Sequence, residues 1–184
     1  GRARGALQLP FYFQSSPVPY AVTSGDFDSD GSADLAVTDG RDGTLAVFRG
    51  TEPRSPGLAP FMFMAGYGVG SYPTCVTSGD VNADGILDLV TANSWSRTIS
   101  VLMGQGAGGM GNGAFAPPVH ISVGSYPISA AVGDLNWDRL GDIAVTLSDS
   151  NKVAILLAST CVNRSVMATS CFFRKRAIEV WSGF

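Results

Sequence analysis

The chain has 184 residues, 45 % of them hydrophobic, which is enough to bury a sizeable core. Its 23 glycines and 10 prolines call for many turns and favour an all-β chain over a helical one. The net charge of −3, without a basic stripe, argues against a nucleic-acid partner, and no apolar run approaches the ~20 residues of a membrane helix, so no membrane insertion is expected.

The chain opens Gly-Arg-Ala-Arg, and residues 7–13, Leu-Gln-Leu-Pro-Phe-Tyr-Phe, read as the end of an earlier strand unit. Residues 1–15 are therefore assigned to the tail of a preceding repeat. Next comes an acidic stretch, Asp26-Phe-Asp28-Ser-Asp30-Gly31-Ser-Ala-Asp34. It returns as Asp80-Val-Asn82-Ala-Asp84-Gly85-Ile-Leu-Asp88 and as Asp134-Leu-Asn136-Trp-Asp138-Arg139-Leu-Gly-Asp142. Both steps are 54 residues (80 − 26 and 134 − 80). Other residues keep the same step: Pro19, Pro73 and Pro127; Gly25, Gly79 and Gly133; Leu35, Leu89 and Ile143. Leu45-Ala-Val-Phe48 aligns with Ile99-Ser-Val-Leu102 and Val153-Ala-Ile-Leu156, and Phe61 with Phe115.

One unit reads as four short strands, near 20–26, 34–38, 44–48 and 60–65 in the first copy, with the acidic loop joining strands one and two. Four strands recurring every 50-odd residues mark a β-propeller blade; a β-solenoid has shorter rungs. The units span 16–69, 70–123 and 124–172. Residues 173–184 read as the first strand region of a following blade. Closed propellers have four to eight blades, so the chain is expected to be a partial propeller, a segment of a longer protein.

Oxygen side chains at positions 1, 3, 5 and 9 of a curled loop face inward, and position 7 adds a backbone carbonyl. That set of hard oxygens suits calcium. Position 6 needs φ > 0, which glycine adopts freely; Arg139 holds that place in the third loop. Polar turn residues alone would explain one such loop, but three copies in register point to a metal. An EF-hand loop would carry a carboxylate at position 12, where Val37, Thr91 and Val145 stand. Ten of the fifteen acidic residues lie in these loops, so the acidity of the chain speaks of metal.

These residues resemble the FG-GAP/VCBS repeats, the blades of integrin α-subunit-like propellers and of many secreted proteins. The likeness rests on Gly-Asp-x-[Asn/Asp]-x-Asp-Gly-x-x-Asp-[Leu/Ile]-x-Val followed by Val-x-Val-[Leu/Phe]-x-Gly, over roughly residues 16 to 158. It implies calcium in the hairpin between strands one and two, an extracellular or cell-surface setting, and a role in adhesion or assembly with other chains or further blades. By position the ligands would be Asp26, Asp28, Asp30, Ser32 (carbonyl) and Asp34 in the first loop. In the second they would be Asp80, Asn82, Asp84, Ile86 (carbonyl) and Asp88. In the third they would be Asp134, Asn136, Asp138, Leu140 (carbonyl) and Asp142.

Gly104-Gln-Gly106-Ala-Gly-Gly109 spells a dinucleotide fingerprint but precedes Pro117-Pro118 and no helix, so it reads as a flexible loop. His120, the single histidine, has no nucleophile motif beside it. The chain is therefore expected not to be an enzyme, although an active site outside this segment stays open. Trp95, Trp137, Tyr72 and Tyr126 fall near loop tips, where they either pack between blades or stack on glycans. Cys161 and Cys171 are expected to form a disulfide, leaving Cys75 free. The same eleven-residue stretch carries Asn163-Arg164-Ser165, a glycosylation sequon, which fits an oxidising compartment.

Overall fold

The computed structural model describes residues 12–51 and 60–159, together with the backbone of 173–174. Cys161, Asn163 and Cys171, residues 1–11 of the expected N-terminal tail, and 175–184 lie outside the described residues.

The β-branched and aromatic runs between the acidic and Gly-rich turns form strands, and no helix appears among the described residues. The first sheet takes β1 (Pro19–Gly25), β2 (Asp34–Asp39), β3 (Thr44–Gly50) and β4 (Phe61–Gly68) in that order. The second takes β5 (Pro73–Gly79), β6 (Asp88–Asn93) and β7 (Thr98–Leu102). A two-stranded ribbon of β8 (Gly104–Ala107) and β9 (Met110–Phe115) follows, before β10 (Val119–Ser122) completes the second sheet beside β7. The third has β11 (Pro127–Gly133), β12 (Asp142–Leu147), β13 (Lys152–Ala158) and β14 (Phe173–Arg174). All pairings are antiparallel. These are open, propeller-like blades of four strands, as the spacing predicts.

Two strands differ from the sequence reading. The expected flexible loop at 104–118 is a hairpin, because Gly108 and Gly109 take φ of 62° and 77° and close a two-residue turn of the primed kind. Phe115 consequently ends β9, and β10 rather than the Phe61 counterpart supplies the fourth strand. Phe173–Arg174 pairs with Leu157 and Ala158 of β13. These two residues lie in the third sheet.

First strands of successive blades run side by side in the same direction, one repeat out of step. The Ser78 hydroxyl donates to the Ser24 carbonyl at 3.3 Å, and the Thr74 hydroxyl to that of Ile128 at 3.0 Å. All three acidic loops therefore lie at one end of the blades, and the β2–β3, β6–β7 and β12–β13 turns at the other. Between blades one and two a core gathers Phe27, Leu45, Val47, Val76, Leu89, Leu102 and Phe115. Val81, Val90, Ile99, Val101, Ile143, Val145 and Leu156 form the second, between blades two and three.

The β8–β9 ribbon leans on the first acidic loop. Gly113 N–H donates to the Phe27 carbonyl at 2.9 Å, Gly111 N–H to the Ser29 hydroxyl at 2.9 Å, and the Phe27 and Phe115 rings meet edge to face at 5.5 Å. A Cβ at Gly111 would collide with the Phe27 carbonyl oxygen. Gly111→Val should therefore destabilise the fold by about 2 kcal/mol, since backbone cannot yield as a side chain does. Gly108→Asn, in open space at φ 62°, should cost about 0.5 kcal/mol or less, because asparagine tolerates this conformation. Denaturant midpoints of the two variants check the pair; equal losses would show that the ribbon is not seated on the loop.

Candidate metal centre

In each loop the backbone curls around its own side chains. The position-1 carboxylate accepts two N–H groups: Asp26 from Asp30 (3.0 Å) and Gly31 (2.9 Å), Asp80 from Asp84 (3.2 Å) and Gly85 (2.8 Å). Asp134 accepts from Asp138 (3.1 Å) and Arg139 (2.9 Å). Position 3 accepts the same position-5 N–H, at Asp28 Oδ1 (3.3 Å), Asn82 Oδ1 (3.0 Å) and Asn136 Oδ1 (2.9 Å). Position 5 accepts from position 7: Asp30 from Ser32, Asp84 from Ile86 and Asp138 from Leu140, at 2.8, 2.8 and 2.9 Å. The loop is thus hydrogen-bonded by the residue types that would ligate an ion.

The turn is sharper than glycine at position 6 suggests. Gly31, Gly85 and Arg139 have φ of 86°, 84° and 71°, and position 4 is also left-handed, with Ser29, Ala83 and Trp137 at 57°, 59° and 67°. No glycine marks position 4 in any copy, so its conformation was not legible from residue type. A left-handed L-residue costs about 1–2 kcal/mol, and the converging hydrogen bonds hold it there.

Position 9 departs most from a simple ligand. Asp34, Asp88 and Asp142 are fully buried. One oxygen of each accepts the N–H of loop position 2: Phe27 (2.8 Å), Val81 (2.8 Å) and Leu135 (3.0 Å). The other accepts the N–H at or just past the end of the third strand: Gly50 (2.7 Å), Gly104 (2.8 Å) and Ala158 (2.8 Å). Each carboxylate oxygen has a second lone-pair site, so this latch leaves acceptor capacity for a cation.

Among the described residues, one set of carboxylates converges: Asp26, Asp28 and Asp34 each place an oxygen within 4.8 Å of the others. Asp30 turns aside to Arg49, whose Nη2 lies 2.7 Å from its Oδ2. In the other loops Asn82 and Asn136 replace the second member of that trio, offering an amide oxygen. Trp137 stands 92 % exposed at its loop tip. Trp95 lies in the β6–β7 turn at the opposite end, stacked on Tyr72 at 4.5 Å, so the two tryptophans share no platform. Tyr72 also meets Tyr20, hydroxyl to hydroxyl at 2.8 Å, and Arg97 lies 4.8 Å over the Tyr126 ring. Exposed His120 bonds the Ser100 hydroxyl at 2.9 Å through Nδ1. Cys75, free and half-buried, sits 3.8 Å from the Ser129 hydroxyl.

Repeated four-stranded antiparallel blades, each with an acidic hairpin between its first two strands, define a propeller-type repeat module. The family described as FG-GAP-like repeat matches the chain twice, over residues 26–91 and 80–145. Together these matches run from 26 to 145, about two thirds of the chain, and the chain belongs to the FG-GAP-like repeat family. No curated protein matches it.

Two measurements follow from the loop geometry. Arg139→Gly should stabilise the protein by about 0.5–1 kcal/mol, the left-handed strain relieved less the entropy that glycine loses on folding. A lower denaturation midpoint in this variant would contradict it. Burial pushes the Asp88 carboxyl up to about 6, with the Asp84 and Asp80 charges adding to it, against the Gly104 and Val81 N–H donors. The native state therefore binds this proton more tightly than the unfolded chain, whose aspartate titrates near 3.8. Its contribution to stability is full below that value and is lost as pH rises through about 6. Metal-free protein should be about 1 kcal/mol more stable at pH 5 than at pH 7, and Asp88→Asn should flatten the difference. Denaturant titrations in chelator read this, and a rise in stability from pH 5 to 7 would contradict it.

Proposed function

We propose that this chain is a calcium-stabilised binding module of the extracellular space or cell surface, without catalysis of its own. In this reading its blades hold further blades or other protein chains. The observation that carries it is the convergence of Asp26, Asp28 and Asp34 in a loop whose backbone path recurs in all three blades. The donor set is all hard oxygen, which suits calcium over softer metals. Asp26, Asp28 and Asp34 would hold the ion in the first loop, with Asp30 and the Ser32 carbonyl completing the set. Asp80, Asn82, Asp84, Asp88 and the Ile86 carbonyl would do so in the second. In the third, Asp134, Asn136, Asp138, Asp142 and the Leu140 carbonyl correspond. A bound ion would supply positive charge to carboxylates that otherwise repel one another.

Association is supported by a sheet face that is exposed among the described residues. Val22 is 60 % exposed, whereas its repeat equivalents Val76 and Ala130 are 6 % and 8 % exposed because a preceding blade covers them. Phe13 covers part of the first blade by packing on Phe48 at 5.3 Å. The remaining apolar surface suits another blade or chain. The glycan reading is weaker, since it drew on Trp95 and Trp137 together and they stand at opposite ends. Secretion draws support from the calcium-type loops and from the sequon and cysteines of residues 161–171.

Calcium that binds only the native state stabilises it by about 2.7 kcal/mol per site at a hundredfold excess over Kd. With the ~10⁻⁴ M Kd of extracellular sites, 10 mM calcium should raise the melting temperature by several degrees. Thermal melts of metal-stripped protein with and without calcium test this. An unchanged melting temperature would remove the calcium reading.

A further inference from the structure

The first acidic loop differs from its two copies in a correlated way. At position 3 it has Asp28 where they have Asn82 and Asn136. The asparagine amides donate to the position-5 carboxylates, Asn82 Nδ2 to Asp84 Oδ2 at 2.9 Å and Asn136 Nδ2 to Asp138 Oδ2 at 3.0 Å. A carboxylate cannot make that bond. In its place Arg49 lies across both acids, with Nε 2.7 Å from Asp28 Oδ2 and Nη2 2.7 Å from Asp30 Oδ2. One and two repeats further on, the position of Arg49 is taken by uncharged Met103 and Leu157 (49 + 54 and 49 + 108). The Met103 sulfur faces its own loop, 3.9 Å from Asn82 Nδ2, so this register position addresses the loop in both blades.

We propose that Arg49 is a built-in counter-cation of the first loop, which replaces the missing amide and lowers the affinity of that loop for calcium. The inference rests on the calcium reading above. Formally, four carboxylates and one guanidinium leave −3 in the first loop (−4 + 1), the same as the three carboxylates of the second. The extra acid thus adds no net charge while Arg49 stays in place. The side chain of Asp28 is only 9 % exposed and that of Arg49 48 %, so the pair is withdrawn from solvent at its acidic end. A guanidinium spanning two carboxylates is also a strong, directional pairing. Calcium entering this loop meets a resident positive charge and an Asp28 oxygen already engaged. In metal-free protein the same contact relieves carboxylate repulsion and keeps the loop closed.

The test follows the backbone amide signals of Gly31 and Gly85, one per loop, in the full chain during titration with calcium chloride at low salt. In Arg49→Met the Gly31 midpoint should move to about tenfold lower calcium, the effect of removing one charge close to a divalent ion through a water-like dielectric, with Gly85 unmoved. Arg49→Gln, which keeps a donor and loses the charge, should give the same direction of shift and serves if the methionine variant folds poorly. Adding Asp28→Asn to Arg49→Met should return the Gly31 midpoint to near that of Gly85. A Gly31 midpoint that stays put or rises in both single variants, while Gly85 responds normally, overturns the role given to Arg49. If neither glycine responds in the parent protein, the calcium reading itself fails and this inference with it.

Discussion

A buried carboxylate bonded to two backbone N–H groups holds each blade in register. Asp34, Asp88 and Asp142 begin the second strand of their sheets, and each ties the loop before it to the end of the third strand. A charge out of contact with water is costly unless hydrogen-bonded, so these acids tolerate few other arrangements. With the latch closed, the third strand can meet the second only at one offset, Leu35 opposite Phe48, Leu89 opposite Leu102, and Ile143 opposite Leu156. A one-residue slip would turn these apolar side chains to the wrong face and strip both N–H donors from the acid. The cores between blades depend on that offset.

Much of this was legible in the sequence because the 54-residue step repeats both the acidic loop and the strands around it. The short apolar, β-prone runs from Leu35 and from Leu45 belong to strands, and glycine at positions 31 and 85 announces a left-handed turn. Other features carry no mark in residue type. Ser29, Ala83 and Trp137 are left-handed because converging hydrogen bonds require it, and three unlike residues occupy the place. The β8–β9 ribbon looked like a loop because half of residues 104–115 are glycines. Their small size is what lets β9 lie against Phe27 and Ser29. Arg49 lies nineteen residues after Asp30, and only the folded sheet brings the two together.

The acidic position 9 also shows why a ligand pattern and a structural pattern are hard to separate by sequence. The same aspartate spaced eight residues after the first serves a latch and offers free lone pairs to an ion. The loops are preorganised by their own backbone: each candidate carboxylate already accepts N–H donors, so the oxygens are gathered before a cation arrives. The first loop adds Arg49 and the β8–β9 ribbon, and is thereby held by its own blade and by the next. The blades are joined by apolar packing and the loops are closed by the chain itself; on the proposed reading, calcium would add stability to a structure already formed.

Amide hydrogen exchange of metal-free protein reads the latch directly. The N–H groups of Gly50, Gly104 and Ala158 donate to buried carboxylates, whereas those of Gly31 and Gly85 donate to acids in the open loop. The first three should exchange at least about tenfold more slowly than the loop pair, opening only with the sheet that contains them. Exchange of Gly50, Gly104 and Ala158 at the rate of the loop amides, with protection gained only when calcium is added, would contradict it.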